Sequence, residues 1–506
     1  MARTAAEAYN ELLGEVRSTA LLESVSSLLG WDEQTYMPAG GAEHRSQQQS
    51  LLAGMVHERA TASRIGELLA AIEGSDVVAD RDSPATANVR EIRRDYDRAT
   101  KLPRRLVEEL SRVSSLAQQA WIEARKKSDF AMFLPWLEQI VKLKREEATA
   151  IGYGDGVPYD ALLDQFEPGI TTADVKRLFG PLQDDLVKLI GAISASGKRP
   201  DRTILTRSYP VAAQRTFSVE AAKQIGFDFD SGRLDETAHP FCSGIGPGDC
   251  RLTTRYNPHH FPGAFFGTLH EAGHGIYDQG LDRGAFGTPL GAAVSLGIHE
   301  SQSRMWENFV GRSRAFWQHF FPKAQQAFPE ALSGVSLEAF YAAINDVEAS
   351  FIRVEADEAT YNLHILLRFD IEQQLVAGDL TPCDVPGVWN ATFRRYFNLT
   401  PPSDALGCLQ DIHWSFGGIG YFPTYTLGNM NAAQLFVAAQ RDLGDLHAAF
   451  SRGEFRPLKE WLNEKIHRRG KLLRASRLVE AVTRSPLTHR PLIEHLHGKF
   501  DELYGL

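Results

Sequence analysis

Cysteine is scarce. The 506-residue chain has four, Cys242, Cys250, Cys383 and Cys408, and no two of them form a CxxC pair. That spacing excludes a zinc knuckle or a disulfide scaffold and leaves inert thiols in a reducing compartment as the expectation. Long apolar runs are missing too. No stretch of about 18 apolar residues occurs, so no spanning helix is expected. The start, "MARTAAEAYNELLGEVRS", lacks the apolar segment of a secretory leader. These features lead us to expect a soluble, cytoplasmic protein with no membrane partner. Positive charge is also in short supply: the net charge is -10, and no long basic run stands out. Nucleic-acid binding needs clustered Lys and Arg to displace counterions, so that class is set aside. "RKKSD" at Arg125–Asp129 reads as a solvated helix end.

What the chain does contain is helical periodicity. Apolar residues recur at three- and four-residue spacing through the first 30 residues and over Val107–Ala124, Phe133–Ala150 and Val175–Ile193. Later helices are expected at Leu296–Phe321, Leu337–Val347, Ala356–Leu375, Ala432–Phe450 and Leu458–Thr483. The best strand signals, "LDETAHPF" and "CRLTTRYN", flank the Gly-rich "SGIGPGD". They predict a hairpin of Leu234–Phe241 with Cys250–Tyr256. The class is mainly α with a minor sheet. Length alone suggests about three domains, but no convincing linker divides the chain, so residues 1–506 are read as one unit.

The second strand leads into "FFGTLHEAGHGIYDQG", Phe265–Gly280. Residues four apart on a helix lie about 40° apart around the axis and about 6 Å along it. His270 and His274 can therefore reach one ion, while Glu271 points beside it. Two imidazoles and a nearby carboxylate base are the parts of a zinc hydrolase. Phe261, Phe265, Leu269, Ala272 and Ile276 form a stripe that would bury the helix. Gly273 and Gly275 suit a place where another backbone or a substrate comes close. A third ligand is needed, and Glu300 in "LGIHESQSRMWENFVGR" lies 26 residues past His274. A Gly/Pro-rich turn gives the chain room to reverse and return as a second helix. His299 is the competitor; about 100° separates it from Glu300 on a helix, so only one can face the site, and Glu300 is preferred. Glu307 is placed either to orient a ligand histidine or to pair with Arg304.

The sequence resembles the carboxypeptidase Taq family of metallocarboxypeptidases. Besides HEAGH and "HESQSR", the matching stretches are "GWDEQTYMPAGG", "PYDALLDQFEPG", "HPF", "DCRLT", "FIRVEADEATYNLHILLR", "GIGYFPTYTLGN" and the closing "ELYGL". They run from residue 30 to the C-terminus. The resemblance implies a large neurolysin-like helical bundle, with two lobes about a deep central groove and the metal-binding core within residues 230–430. It also implies removal of single C-terminal residues with broad specificity, one divalent ion and a homodimer.

On that basis His270, His274 and Glu300 would hold Zn2+, with Co2+ as an alternative, and Glu271 would act as general base. Tyr421 is the choice for stabilising the oxyanion, with Tyr425 the runner-up. The substrate carboxylate needs a cation; Arg353 and Arg251 match the family positions, and His239 could add a donor. Asp249 is placed to brace Arg251, two residues on along a strand. The strand Cys250–Tyr256 is expected to lend its edge to the peptide. Three other readings stay open: an endo-oligopeptidase or dipeptidyl carboxypeptidase with the same metal site, a helical scaffold with a structural metal, and a binding protein built on "HWSFGGIGYFPTYT".

Overall fold

The computed structural model describes residues 3–506. Its first helix, Ala5–Thr35, starts at a reciprocal cap: Thr4 Oγ1 accepts from the Glu7 backbone N–H, and the Glu7 carboxylate accepts from the Thr4 N–H. Helices dominate from there to the C-terminus, with one three-stranded sheet among the described residues. None of these helices is long and apolar enough to cross a membrane.

Two apolar clusters hold the helices. A small one joins the N-terminal helices through Leu12, Ile65, Leu69 and Ile92. The large one runs from Leu106 to Tyr504 and takes in Phe261, Phe265, Leu269, Ala272 and Ile276. These five are the stripe expected to bury the HEAGH helix, Phe261–Gly280 (the motif helix).

Several expected helices are shorter or broken, each for a local reason. Leu296–Phe321 is not one helix. Leu296–Arg304 (the return helix) continues as a wide π-helical turn, Met305–Gly311, and a new helix starts at Arg314, capped by Ser313. The helix placed at Ala356 begins at Tyr361, because the Asp357 carboxylate takes the backbone N–H groups of Ala359 and Thr360 in a turn before it. Leu458–Thr483 breaks at Gly470, whose φ of +48° is a left-handed conformation that glycine tolerates.

The hairpin is corrected more deeply. Strand β1 (Gly232–Glu236) runs parallel to β3 (Asp249–Thr254), and between them in sequence lies β2 (Cys242–Gly246), antiparallel to β3. The segment read as a Gly-rich turn is thus largely a strand, and the sheet order is β1-β3-β2. With β3 in the middle, both of its edges are already paired. It cannot accept a peptide by strand addition as expected.

Candidate metal centre

The motif and return helices approach closely enough that their backbones nearly touch. A side chain at Gly273 would lie 2.6 Å from the Gln302 carbonyl oxygen and the Ser303 Cα. At Gly428, on the late helix Pro423–Leu443, a side chain would meet the Glu300 side chain at 2.5 Å. Both glycines are needed for close approach, as expected of Gly273 from its place in the motif. The start of the return helix is anchored from "DQFEPG". Glu167 is buried and accepts the Gly297 backbone N–H at 2.9 Å, at the end of the helix that favours negative charge.

The packing brings His270, His274 and Glu300 together, their donor atoms all within 4.8 Å of one another. Glu300 Oε2 is 3.4 Å from His274 Nε2 and 3.8 Å from His270 Nε2. Bonds of about 2.0–2.2 Å to a tetrahedral ion put neighbouring donors about 3.3–3.6 Å apart. The donor set and its spacing therefore fit a divalent metal with one position left over. Glu300 offers one oxygen only, because Oε1 accepts from Arg304 Nε at 2.7 Å.

Each imidazole is held from behind. His270 Nδ1 lies 2.9 Å from Glu307 Oε2, which leaves Nε2 for the ion. Glu307 sits on the π-helical turn and also pairs with Arg304 at 3.3 Å, so the two roles weighed for it coexist. His274 Nδ1 lies 2.6 Å from His299 Nδ1, and His299 Nε2 lies 3.0 Å from Asp278 Oδ1. If His274 uses Nε2 for a metal, its Nδ1–H donates to His299, which donates to Asp278. His299 and Glu300 are not rivals after all. Glu300 faces the ligand atoms, and His299 stacks behind His274 with ring centroids 4.5 Å apart.

The electrostatics suit a cation. Burial above all pushes His274 down to about 4, so its imidazole is neutral near pH 7, the form able to ligate a metal. Burial would raise Glu300 and Glu307, but Arg304 and the imidazoles outweigh it and hold both well below the usual carboxylate range. Glu271 is buried, which raises it to about 7, and it makes no side-chain hydrogen bond among the described residues.

A second charged nest lies beside this one. Arg353 is 5 % exposed, and donates from Nε and Nη2 to Asp411 Oδ1 at 3.0 and 2.7 Å and from Nη1 to the Tyr361 hydroxyl at 2.9 Å. Arg368, fully buried, donates from Nε to the other Asp411 oxygen at 2.6 Å. Nearby His413 is pushed down to about 4 by burial and is neutral. Two guanidiniums thus share one carboxylate, and the nest carries an excess positive charge. Tyr361 joins the nests: the Arg304 guanidinium lies 4.3 Å over its ring while its hydroxyl meets Arg353. Arg368 and Asp411 escape sequence reasoning, because they come from separate segments and no spacing links them. A buried arginine inside "YNLHILLRF" was the one available signal.

Tyr421 and Tyr425 stand at the join, with ring centroids 5.4 Å apart. Burial and the charge of Glu300 raise Tyr421, so its hydroxyl keeps its proton at neutral pH. The Tyr421 loop is fixed by Glu372, whose carboxylate accepts from the Gly420 N–H, Trp414 Nε1 and Tyr159 Oη. Arg251 pairs with Asp249 at 2.7 Å as expected, and its guanidinium lies 4.1 Å over the Trp31 ring. That is the face of β3 opposite the one bearing Cys250 and Leu252, and no hydrogen bond ties Arg251 to the metal ligands. His239 is exposed in the loop between β1 and β2. A cavity of about 650 Å³ lined by Arg314, Tyr341, His447 and Lys499 holds none of the expected site residues.

Comparison with known proteins agrees with the residue pattern. The profile of the Carboxypeptidase Taq (M32) metallopeptidase family matches residues 11–500. Thermostable carboxypeptidase 1 of Thermus thermophilus is 48% identical over 506 residues, covering 98% of this chain and 99% of that protein. Carboxypeptidase 1 of Bacillus subtilis is 40% identical, covering 95% of each. The crystal structure of the M32 carboxypeptidase from Deinococcus radiodurans R1 superposes with a TM-score of 0.95 at 41% identity, covering 99% of this chain and 100% of that one. The chain belongs to the carboxypeptidase Taq (M32) metallopeptidase family and is a metal-dependent carboxypeptidase.

Proposed function

We propose that His270, His274 and Glu300 hold one divalent ion, Zn2+ in the first instance with Co2+ as a working substitute, and that the chain releases single residues from peptide C-termini with broad specificity. When bound, such an ion supplies Lewis acidity, acidifying a water and polarising the scissile carbonyl. Glu271 takes a proton from the attacking water and passes it to the leaving amine nitrogen. The Tyr421 hydroxyl donates to the developing oxyanion, with Tyr425 behind it. Arg353 attracts the terminal carboxylate, with Arg251 and His239 as more distant candidates along the same substrate.

One observation carries this reading: an acidic nest suited to a cation and a nest with surplus positive charge are joined through a single side chain, Tyr361. A carboxypeptidase needs that pairing, one centre for the scissile carbonyl and one for the free carboxylate next to it. An endo-oligopeptidase does not need the second centre, and a structural metal would have four protein ligands rather than three and an unengaged glutamate. Mass spectrometry of products from a set of peptides is the test. Metal-loaded enzyme should yield ladders one residue shorter at the C-terminus, and chelator should stop them. Internal cuts or release of dipeptides would overturn the single-residue reading. In the same assay, Tyr421→Phe should lower kcat far more than it raises KM; the reverse would remove Tyr421 from oxyanion binding. A homodimer in the cytoplasm is part of the proposal on the strength of the resemblance, and light scattering at the mass of one chain would exclude the dimer.

A further inference from the structure

Behind the catalytic nest lies a second set of donors. Cys242 on β2 and Cys250 on β3 bring their sulfurs within 3.6 Å. They are diagonal rather than opposite, since Cys242 pairs with Leu252 and Cys250 with Gly244. Both belong to the sheet face packed on the motif helix. Asp278, one turn past His274 on that helix, places a carboxylate oxygen within 4.8 Å of both sulfurs. Gly244 makes room for it: a side chain there would sit 2.7 Å from Asp278 Oδ2. A cavity of about 210 Å³ lined by Gly244, Gly248, Cys250 and Asp278 gives access.

The spacing discriminates between two fates for the thiols. Two sulfurs bound at about 2.3 Å to a tetrahedral ion lie about 3.8 Å apart, whereas a disulfide holds them at about 2.05 Å. The sulfurs stand near the first distance without any movement of the strands. The Cys250 sulfur beside it, and then burial, raise the Cys242 thiol, so it is protonated at neutral pH and a bound ion must displace that proton.

We propose that Cys242, Cys250 and Asp278 form a second cation site, selective for thiophilic divalent ions such as Zn2+ and Cd2+, with its fourth position open to the cavity. Binding forms two metal–sulfur bonds and one metal–oxygen bond, and releases the two thiol protons to solvent. The site is also wired to the catalytic one. Asp278 is the acceptor for His299 Nε2, and His299 supports His274. An ion on Asp278 competes with His299 for that carboxylate and loosens the support of His274. The second site is therefore inhibitory: excess metal weakens the hold on the first ion.

Titration of metal-free protein with Co2+, followed by absorbance, tests this. Two equivalents should bind per chain, and one of them should bring a sulfur-to-cobalt charge-transfer band in the near ultraviolet. The chain carrying Cys242→Ser and Cys250→Ser should bind one equivalent without that band, although Cys383 and Cys408 remain. A single equivalent in the unsubstituted protein, no sulfur band, or a band that survives both substitutions would overturn the site. Should the substituted chain not fold, the spectrum of the unsubstituted protein decides alone. The coupling rests on His274 as a ligand, whereas the sulfur band does not, so the two claims fail separately. Excess Zn2+ should slow the unsubstituted enzyme several-fold and leave the double variant, with unaltered basal turnover, unaffected. Equal inhibition of both would sink the coupling.

Discussion

The metal nest and the arginine nest are both buried, both charged and only one tyrosine apart, yet they are assembled in opposite ways. His270, His274 and Glu300 come from two helices that follow each other in the chain, and helix geometry sets the spacing of the two histidines. Arg353, Arg368 and Asp411 come from a 3-10 turn, a long helix and a loop. Charge balance differs as well. In the first nest the Arg304 guanidinium faces two carboxylates, Glu300 and Glu307; in the second, two guanidiniums share the one carboxylate of Asp411. On our proposal an ion completes the first nest and a substrate carboxylate the second, and variants should separate them accordingly.

The largest effect belongs to the metal nest. Glu271→Gln keeps the shape and removes the base, so kcat should fall by about 10²- to 10⁴-fold. The ion should stay, because His270, His274 and Glu300 are untouched. Metal content by atomic absorption, together with turnover, reads both halves. A variant that turns over normally would show that Glu271 is only a buried carboxylate.

The arginine nest should divide stability from substrate use. Asp411→Asn leaves two buried guanidiniums without their shared counter-charge, a loss of about 3–5 kcal/mol for a broken buried pair. Arg353→Ala instead leaves Arg368 and Asp411 as a balanced pair, so urea unfolding should change much less. Its cost should fall on substrate: losing a charge-assisted hydrogen bond of about 1.5–3 kcal/mol lowers kcat/KM about 10- to 150-fold. Peptides with a free C-terminus should suffer this loss, and amidated peptides should not. Equal losses on both kinds of peptide would mean that Arg353 serves the fold alone.

The same contrast explains what could be read from the chain. HEAGH was legible because a helix converts a spacing of four into a shared face. Glu300 was legible because its helix is the next one in the chain, after a Gly- and Pro-rich connection long enough to reverse direction, and the apolar stripe of the motif helix followed from the helical period. The sheet was read wrongly because Gly-rich "CSGIG" resembles a turn. It pairs as a strand, and Gly244 is needed there because a side chain would sit 2.7 Å from Asp278 Oδ2. Asp411 was invisible, being a polar residue in a loop that gains meaning only when two distant arginines arrive. Family-matching stretches proved ambiguous too. "DQFEPG" carries no chemistry at the metal, and its Glu167 instead caps the helix that delivers Glu300.

His299 shows where helix geometry stops being a sufficient guide. About 100° separates it from Glu300, which rules it out as a second ligand from the same turn. It does not rule out reaching the back of a ligand that comes from another helix. His299→Ala would leave His274 Nδ1 without its partner in a buried place, and the ring free to turn. Loss of such outer support costs metal affinity about 10- to 100-fold. Competition with a chelator should show that loss, while kcat at saturating metal stays close to the unsubstituted value. Unchanged affinity would mean that packing alone holds the imidazole. Of the two imidazoles, only His270 would then rest on a hydrogen bond from behind, the one to Glu307.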